Sequence, residues 1–553
     1  MPTLQFKGKT FVQNHHLAVK YHQLVPKKEL SLTDKISLHD NLIIQGDNLK
    51  ALKALLPTYA GKIKCIYIDP PYNTGNEKWV YNDNVNSPMI KEWLGKVVDK
   101  EDLTKHDKWL CLMMPRLKLL RELLSEDGAI FISCDANEEH RLRLLMDEIY
   151  GEENFIANIS VVNNFKGRSD DKFIATASEF LLIYQKGLFQ TNGIPIPEDY
   201  LKEYKEEDDK GLYRLLGLRK RGANSKREDR PNLYYSIFFN PETNNIALEK
   251  SKNSIEILPK LSDGTDGNGR WGKDTLSERI DEIEVRKVKS RDEFDVFQKD
   301  YLEVNGNKKT IKPKSFWHGA DYSSEAGTLE VKEIMGKGVF ETPKSVDLLR
   351  HIIQFSTDKS SIILDSFAGS GTTAHAVLEL NKEDGGNRKF ILVEQEDYAN
   401  TITAERVRRV IKGVKTAKNE NLKNGLGGSF SYFELGPTIE MESILQGKNL
   451  PGYEEFARYI FYTATGEEFN EKKINGKTGY IGETQNYELY MFYKPDVEWL
   501  KRNALTLDGV KAMPKFKGKQ RLVFAPAKYV DDETCRDNRI GFCQLPYEIY
   551  RIK

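Results

Sequence analysis

An α/β fold built around a parallel sheet is predicted by three features of this sequence: short apolar runs of strand length, stretches of helical period between them, and a proline-rich or glycine-rich turn directly after two of the runs. In order, residues 41–45 read as a strand, 49–56 as a helix and 63–68 as a buried strand that ends at Asp69-Pro70-Pro71-Tyr72. A helix over 108–125, a turn at Glu126-Asp127-Gly128, a strand over 129–133 and a helix over 138–150 follow. The same grammar resumes with a helix over 344–355, a strand over 361–364, a glycine turn, a helix over 373–380 and a strand over 390–393. Strands joined through helices run parallel, and a parallel sheet has both faces covered.

These patterns divide the chain into zones. Residues 1–153 and 336–414 form two α/β halves, and 154–335 stand between them as an insertion that is irregular and charged after a strand at 180–185. Residues 262–269, with three glycines and two aspartates, have the composition of a loop. Residues 415–429 read as a polar linker. Residues 430–553 read as a C-terminal α+β domain, tyrosine-rich, with strand-like runs at 487–493 and 521–524. Its aromatic content fits a core, and no chemistry can be named for it.

Composition narrows the function classes. A chain of 553 residues allows three or four domains at about 150 residues each. With 39% hydrophobic and 30% charged residues and no apolar run of bilayer length, a membrane role is not expected. Residues 1–20 lack the pattern of a secretory signal, so a cytoplasmic location is expected. The five cysteines are scattered, without Cys-x-x-Cys pairs or histidine clusters, and no metal site is predicted. Lys plus Arg equals Asp plus Glu at 83 each, so any phosphate-binding surface must be local. The candidate is Arg219, Lys220, Arg221, Lys226, Arg227 and Arg230; by itself such a stretch is a solvated loop.

Two constellations carry chemistry. Asp69-Pro70-Pro71-Tyr72 follows a buried strand, and ligands of open parallel sheets sit beyond the carboxyl ends of strands. The prolines stiffen the turn and keep it out of the sheet. It presents one carboxylate, one carbonyl and one aromatic ring. That set suits a planar nucleobase amino group, whose lone pair is delocalised: Asp69 and the Pro70 carbonyl accept its two N–H bonds, and Tyr72 stacks on the flipped base. Taken alone, the tetrapeptide is equally an acidic strand end with a proline turn.

The second constellation is Asp365-Ser366-Phe367-Ala368-Gly369-Ser370-Gly371-Thr372-Thr373, after an apolar strand. Glycines between strand and helix let a ligand approach the backbone, and the next strand ends in Glu394, suited to a ribose. This is a nucleoside-cofactor pattern. A phosphate loop would need Gly-Lys-Ser or Gly-Lys-Thr, which is absent, while a dinucleotide stays open because the segment through Ala374 also fits Gly-x-Gly-x-x-Ala.

Together these motifs resemble those of the amino-methyltransferases that act on DNA. The catalytic motif comes before the cofactor motif, which is the order of the circularly permuted β group. Asn48, Leu49, Asn73-Thr74-Gly75, residues 340–344 and Asp229-Arg230-Pro231-Asn232-Leu233-Tyr234-Tyr235 are similar to the modification subunits of type III restriction systems, a likeness reaching to about Val414. The resemblance implies a permuted Rossmann-like fold that uses S-adenosylmethionine, with an inserted target-recognition domain. It implies that Phe367, Gly369 and Gly371 line the cofactor's methionine part and that Asp365, Ala368 and Thr372 also belong to the cofactor site. By the same resemblance Glu394 holds the ribose, Asp47 meets the adenine amino group, and Thr342 and Lys344 serve the carboxylate end. The basic stretch then reads as a contact to double-stranded DNA carrying a flipped target base. A homodimer and a helicase-nuclease restriction subunit are the implied partners.

The implied reaction is direct, in-line methyl transfer with no covalent enzyme intermediate. Carbon-5 methylation of cytosine needs a nucleophilic cysteine after a proline, and none occurs here. The leading Asp69 favours adenine N6 by family usage. Alternatives are methylation of cytosine N4, of RNA or of a protein glutamine, and a role chiefly as the recognition module of a helicase-nuclease partner.

Overall fold

The computed structural model describes residues 3–74, 104–167, 171–288, 292–439, 449–467, 469–514 and 518–545; Gly75, part of the motif above, lies outside them. The chain divides into two units, one formed by Met1–Asn192 with Pro313–Lys553 and the other by Gly193–Lys312. The first unit is built on a ten-stranded sheet. Its strands are β1 His22–Pro26, β2 Leu42–Gln45, β3 Ile63–Ile68, β4 Leu124–Cys134, β5 Phe155–Val162, β6 Ser178–Gln185, β7 Phe316–Trp317, β8 Ile362–Asp365, β9 Lys389–Glu394 and β10 Ser431–Thr438. Their spatial order is β1-β10-β2-β9-β8-β3-β4-β6-β5-β7. The six strands from β10 to β4 all run parallel, and β6 pairs antiparallel with both β4 and β5.

The central strands are nearly continuous in Ile, Leu and Val because helices cover both faces. In β3 five of six residues are buried. Helices Asn48–Tyr59 and Lys105–Leu123 supply Leu52, Leu56, Trp109, Met113 and Leu117 to the core over it. Among the described residues no helix is long and apolar enough to cross a membrane.

Three boundaries differ from the sequence expectation. The turn at Glu126-Asp127-Gly128 is absorbed into β4, where the pairing jumps from Ile63↔Leu124 to Cys65↔Ala129 and the extra residues bulge outward. Lys64 bonds Asp127 at 2.7 Å and ties that bulge down. The inserted unit, Gly193–Lys312, is narrower than 154–335: β5 and β6 complete the main sheet, and helix Ser324–Met335 belongs to the first unit. Residues 415–429 are no free linker, since they hold helix Glu420–Asn424 and bury Leu422 and Leu426. Next comes β10, beside β2. The remaining tail forms a four-stranded sheet, Tyr480–Glu483, Tyr487–Met491, Gln520–Ala525 and Ile540–Gln544, against helix Tyr453–Thr465.

The second unit is richer in strand than its composition suggests. Ile283–Val288, Glu293–Tyr301, Gly211–Gly217 and Glu206–Asp208 make an antiparallel sheet. A three-stranded sheet on Ile237–Asn240 joins it through a core of Leu218, Ile237, Phe239, Leu276 and Val296.

Candidate active site

β3 and β8 are neighbours, Cys65 beside Ile363 and Ile66 beside Leu364, so the turn after Ile68 and the loop after Asp365 leave the sheet on the same edge. Two loops far apart in sequence thereby share one crevice.

The first is rigid. Beyond its two prolines, the Trp109 indole donates to the Pro71 carbonyl at 2.7 Å. Asn73 follows at φ 59°, a left-handed conformation that asparagine tolerates. Its buried amide donates to Glu138, which His106 also faces. Burial pushes the Glu138 carboxyl up to about 7. None of Trp109, His106 or Glu138 stands out in the sequence.

Asp69 keeps 27% of its side chain exposed, so a substrate can reach it. Burial of its surroundings, reinforced by the nearby Glu179 carboxylate, raises its pKa against the opposing pull of Lys344. The Lys344 ammonium lies 3.4 Å from the Asp69 carboxylate, donates to both Glu179 oxygens at 2.9 and 2.8 Å, and donates to the Tyr72 hydroxyl at 2.6 Å. That hydroxyl donates in turn to Glu179 at 3.0 Å, and the Asn163 amide adds a bond at 3.1 Å. Burial by itself would depress the Lys344 ammonium, but Asp69 and Glu179 outweigh it and hold its pKa above the ordinary value. Lys344 is thus drawn to the Asp69–Tyr72 turn, whereas Thr342, two residues earlier, is exposed at φ 48°. Glu179 escaped the sequence reading, although an acid opening the apolar strand β6 was a signal. Because β6 is antiparallel to β4, Glu179 sits at the edge where the parallel strands end.

The second loop is built to be approached. Gly369 and Gly371 have φ of 51° and 80°; a Cβ on Gly369 would meet the Phe340 ring at 3.2 Å, and one on Gly371 the Thr403 carbonyl at 3.1 Å. The Gly369 N–H donates to Glu394 at 2.7 Å and that of Glu396 at 3.0 Å, yet burial still pushes the Glu394 carboxyl up to about 7. Asp365 accepts from the Phe367 N–H at 3.0 Å and the Thr373 hydroxyl at 2.5 Å, which fixes the start of the loop. Wholly buried Arg406 braces Ser370 and Thr372 at 2.8 and 2.9 Å. It lies within the charged helix Glu405–Lys412. On the other flank, Asp47 caps helix Asn48–Tyr59 through the Lys50 N–H at 3.0 Å, and Asn48 ties that turn to the Ser366 carbonyl at 3.1 Å.

A family model described as DNA methylase, of the N6/N4 methyltransferase type, matches residues 63–405, which contain both loops. The chain belongs to this DNA methylase family. It is 34% identical to the type III restriction-modification enzyme EcoPI Mod subunit of Escherichia phage P1, over 73% of this chain and 67% of that one. Identity is 38% to the type II methyltransferase M.KpnI of Klebsiella pneumoniae, over 66% and 82%, and 31% to the StyLTI Mod subunit of Salmonella typhimurium, over 99% and 84%.

The methylase carries its basic stretch in the second unit. Lys226, Arg227 and Arg230 are exposed, as is Arg221, while Arg219 and Lys220 are half-buried. Arg227 pairs with Asp266 at 3.0 Å and lies 4.2 Å from the centre of the Tyr234 ring. Arg219 donates to the Lys260 carbonyl at 2.5 Å, and Lys226 pairs with Glu228 at 3.5 Å. The stretch is therefore folded onto its own unit.

Proposed function

We propose that this methylase transfers a methyl group from S-adenosylmethionine to the exocyclic N6 amino group of adenine in double-stranded DNA, as the modification and recognition subunit of a restriction system. The observation that carries this reading is the meeting of the Asp69 carboxylate and the Gly369–Gly371 loop at the ends of adjacent parallel strands. The residues present fit the cofactor: two glycines in left-handed conformation where a side chain would intrude, and a buried carboxylate at the end of the following strand. Glu394 would hold the ribose, Asp47 the adenine amino group, Phe367, Gly369 and Gly371 the methionine part, and Thr342 and Lys344 its carboxylate end, with Asp365, Ala368 and Thr372 completing the site. When bound, S-adenosylmethionine supplies an electrophilic methyl group on a sulfonium.

Asp69 and the Pro70 carbonyl accept the two N–H bonds of the target amino group, favouring a pyramidal nitrogen whose lone pair points at the cofactor loop. Positioning and charge complementarity supply the catalysis. The Asp69 carboxylate, its pKa raised by burial, is suited to take the proton the nitrogen sheds after transfer. Arg219, Lys220, Arg221, Lys226, Arg227 and Arg230 contact the DNA backbone, which gives affinity without sequence. In this proposal the methylase works in the cytoplasm as a homodimer with a helicase-nuclease partner; its Mod-subunit relatives support a restriction-modification system.

Asp69→Ala is expected to abolish methyl transfer to DNA while S-adenosylmethionine still binds; full activity would overturn the site. Modification-detecting sequencing of DNA from cells that express the chain should find N6-methyladenine in one sequence context, and N4-methylcytosine there would overturn the choice of base.

A further inference from the structure

The Lys344 ammonium is placed where a donor is needed for reading the target base. Asparagine and glutamine read adenine with an adjacent acceptor and donor, one taking an N6–H and the other meeting the neighbouring ring nitrogen. At the catalytic turn the same pair is offered by two side chains, the Asp69 carboxylate and the Lys344 ammonium 3.4 Å from it. An ammonium has three N–H donors. Both Glu179 carboxylate oxygens accept from it, at 2.9 and 2.8 Å, and the Tyr72 hydroxyl accepts at 2.6 Å. All three N–H bonds are thus engaged, and the Asp69 carboxylate 3.4 Å away marks the side on which an acceptor atom of a bound base can take one of them over. Glu179 is itself saturated by Lys344, Tyr72 and Asn163, and its side chain is 5% exposed, so it holds the lysine and cannot read the base. Lys344 is equally fixed at its backbone, whose carbonyl accepts from the Thr372 hydroxyl at 3.3 Å.

We propose that Lys344 is a base-reading residue whose ammonium donates to N1 of the flipped adenine while Asp69 accepts from N6, and that Glu179 positions it. The inference rests on the adenine reading above. N1 is chosen because flipping frees the Watson–Crick edge, the edge such enzymes read.

The test replaces the target adenine, in a duplex bearing the modified site, by 1-deazaadenine or 7-deazaadenine. For the unaltered protein, kcat/KM should fall roughly tenfold or more with 1-deazaadenine and stay within about twofold with 7-deazaadenine. Lys344→Met should lose a similar factor on adenine, erase the 1-deazaadenine penalty, and bind S-adenosylmethionine as the unaltered protein does. Glu179→Gln should shrink that penalty, which a purely structural role would leave intact. Adenine and 1-deazaadenine methylated equally well by the unaltered protein would overturn the inference and leave the adenine reading standing. So would a Lys344→Met protein that keeps the penalty but loses cofactor affinity, which would mean a grip on the cofactor's carboxylate. An unmodified adenine duplex that is not methylated at all would overturn both.

Discussion

Glu394 offers a prediction whose size follows from its surroundings. The residue is 5% exposed, and burial pushes its carboxyl up to about 7, against an ordinary value of 4.5. Ribose hydroxyls donate best to the ionised form, so cofactor binding should expel the proton. Between pH 8 and pH 6 the ionised fraction falls about tenfold, and the dissociation constant for S-adenosylmethionine should rise by about the same factor. Calorimetric titration in two buffers of different ionisation enthalpy should show about half a proton released at pH 7. Glu394→Gln cannot ionise; it should bind more weakly at pH 8 and lose this pH step. The cofactor's own amino group titrates identically with both proteins, so their difference isolates the carboxylate. The same pH dependence in Glu394→Gln as in the unaltered protein would refute the reasoning. Without ligand the sign reverses. A folded carboxyl that keeps its proton to about pH 7, where an unfolded glutamate gives it up near 4.5, contributes stability that is complete below 4.5 and lost as the pH rises through about 7, roughly 3 kcal/mol at most. Asp365, also pushed up to about 7 by burial, acts in the same direction.

Further outcomes follow from other parts of the chain. Gly369→Ala places a Cβ 3.2 Å from the Phe340 ring on a left-handed backbone, which costs about 1 kcal/mol or more and should weaken cofactor binding measurably in the same calorimeter. Arg227→Ala and Arg230→Ala should each weaken DNA binding evenly across sequences and lower the slope of log affinity against log salt by about one. In the tail, Arg521→Met strands the buried Glu488 carboxylate it now bonds at 3.3 Å; a loss of roughly 3–5 kcal/mol should appear as a lower unfolding midpoint, with the double variant Arg521→Met/Glu488→Met recovering much of it.

The chemistry of this methylase lay open in its sequence because it is local. A buried strand, a double proline turn and a strand-glycine-helix passage are patterns of consecutive residues, each dictated by backbone geometry and side-chain period. Strand order and domain edges were less legible. β5 and β6 lie outside the first α/β half by composition, yet they complete its sheet through antiparallel pairing. β10 reads as the start of a tail, yet it lies against β2, where its buried residues cover the sheet. Such pairings depend on distant partners that no window of sequence contains.

The same distinction separates the groups proposed to do chemistry from those that hold them. Asp69, Gly369, Gly371 and Glu394 announce themselves by residue type and position after a strand. Glu179, Arg406, Trp109 and Glu138 are ordinary residues in their own segments and gain meaning only from what folding brings within about 3 Å of them. Lys344 shows the limit most clearly. The family resemblance assigns it to the cofactor's carboxylate end, and in the folded chain the buried Glu179 and the partly exposed Asp69 pair with its ammonium, because a buried charge must be paired and the pairing partners come from β6 and from the turn after β3.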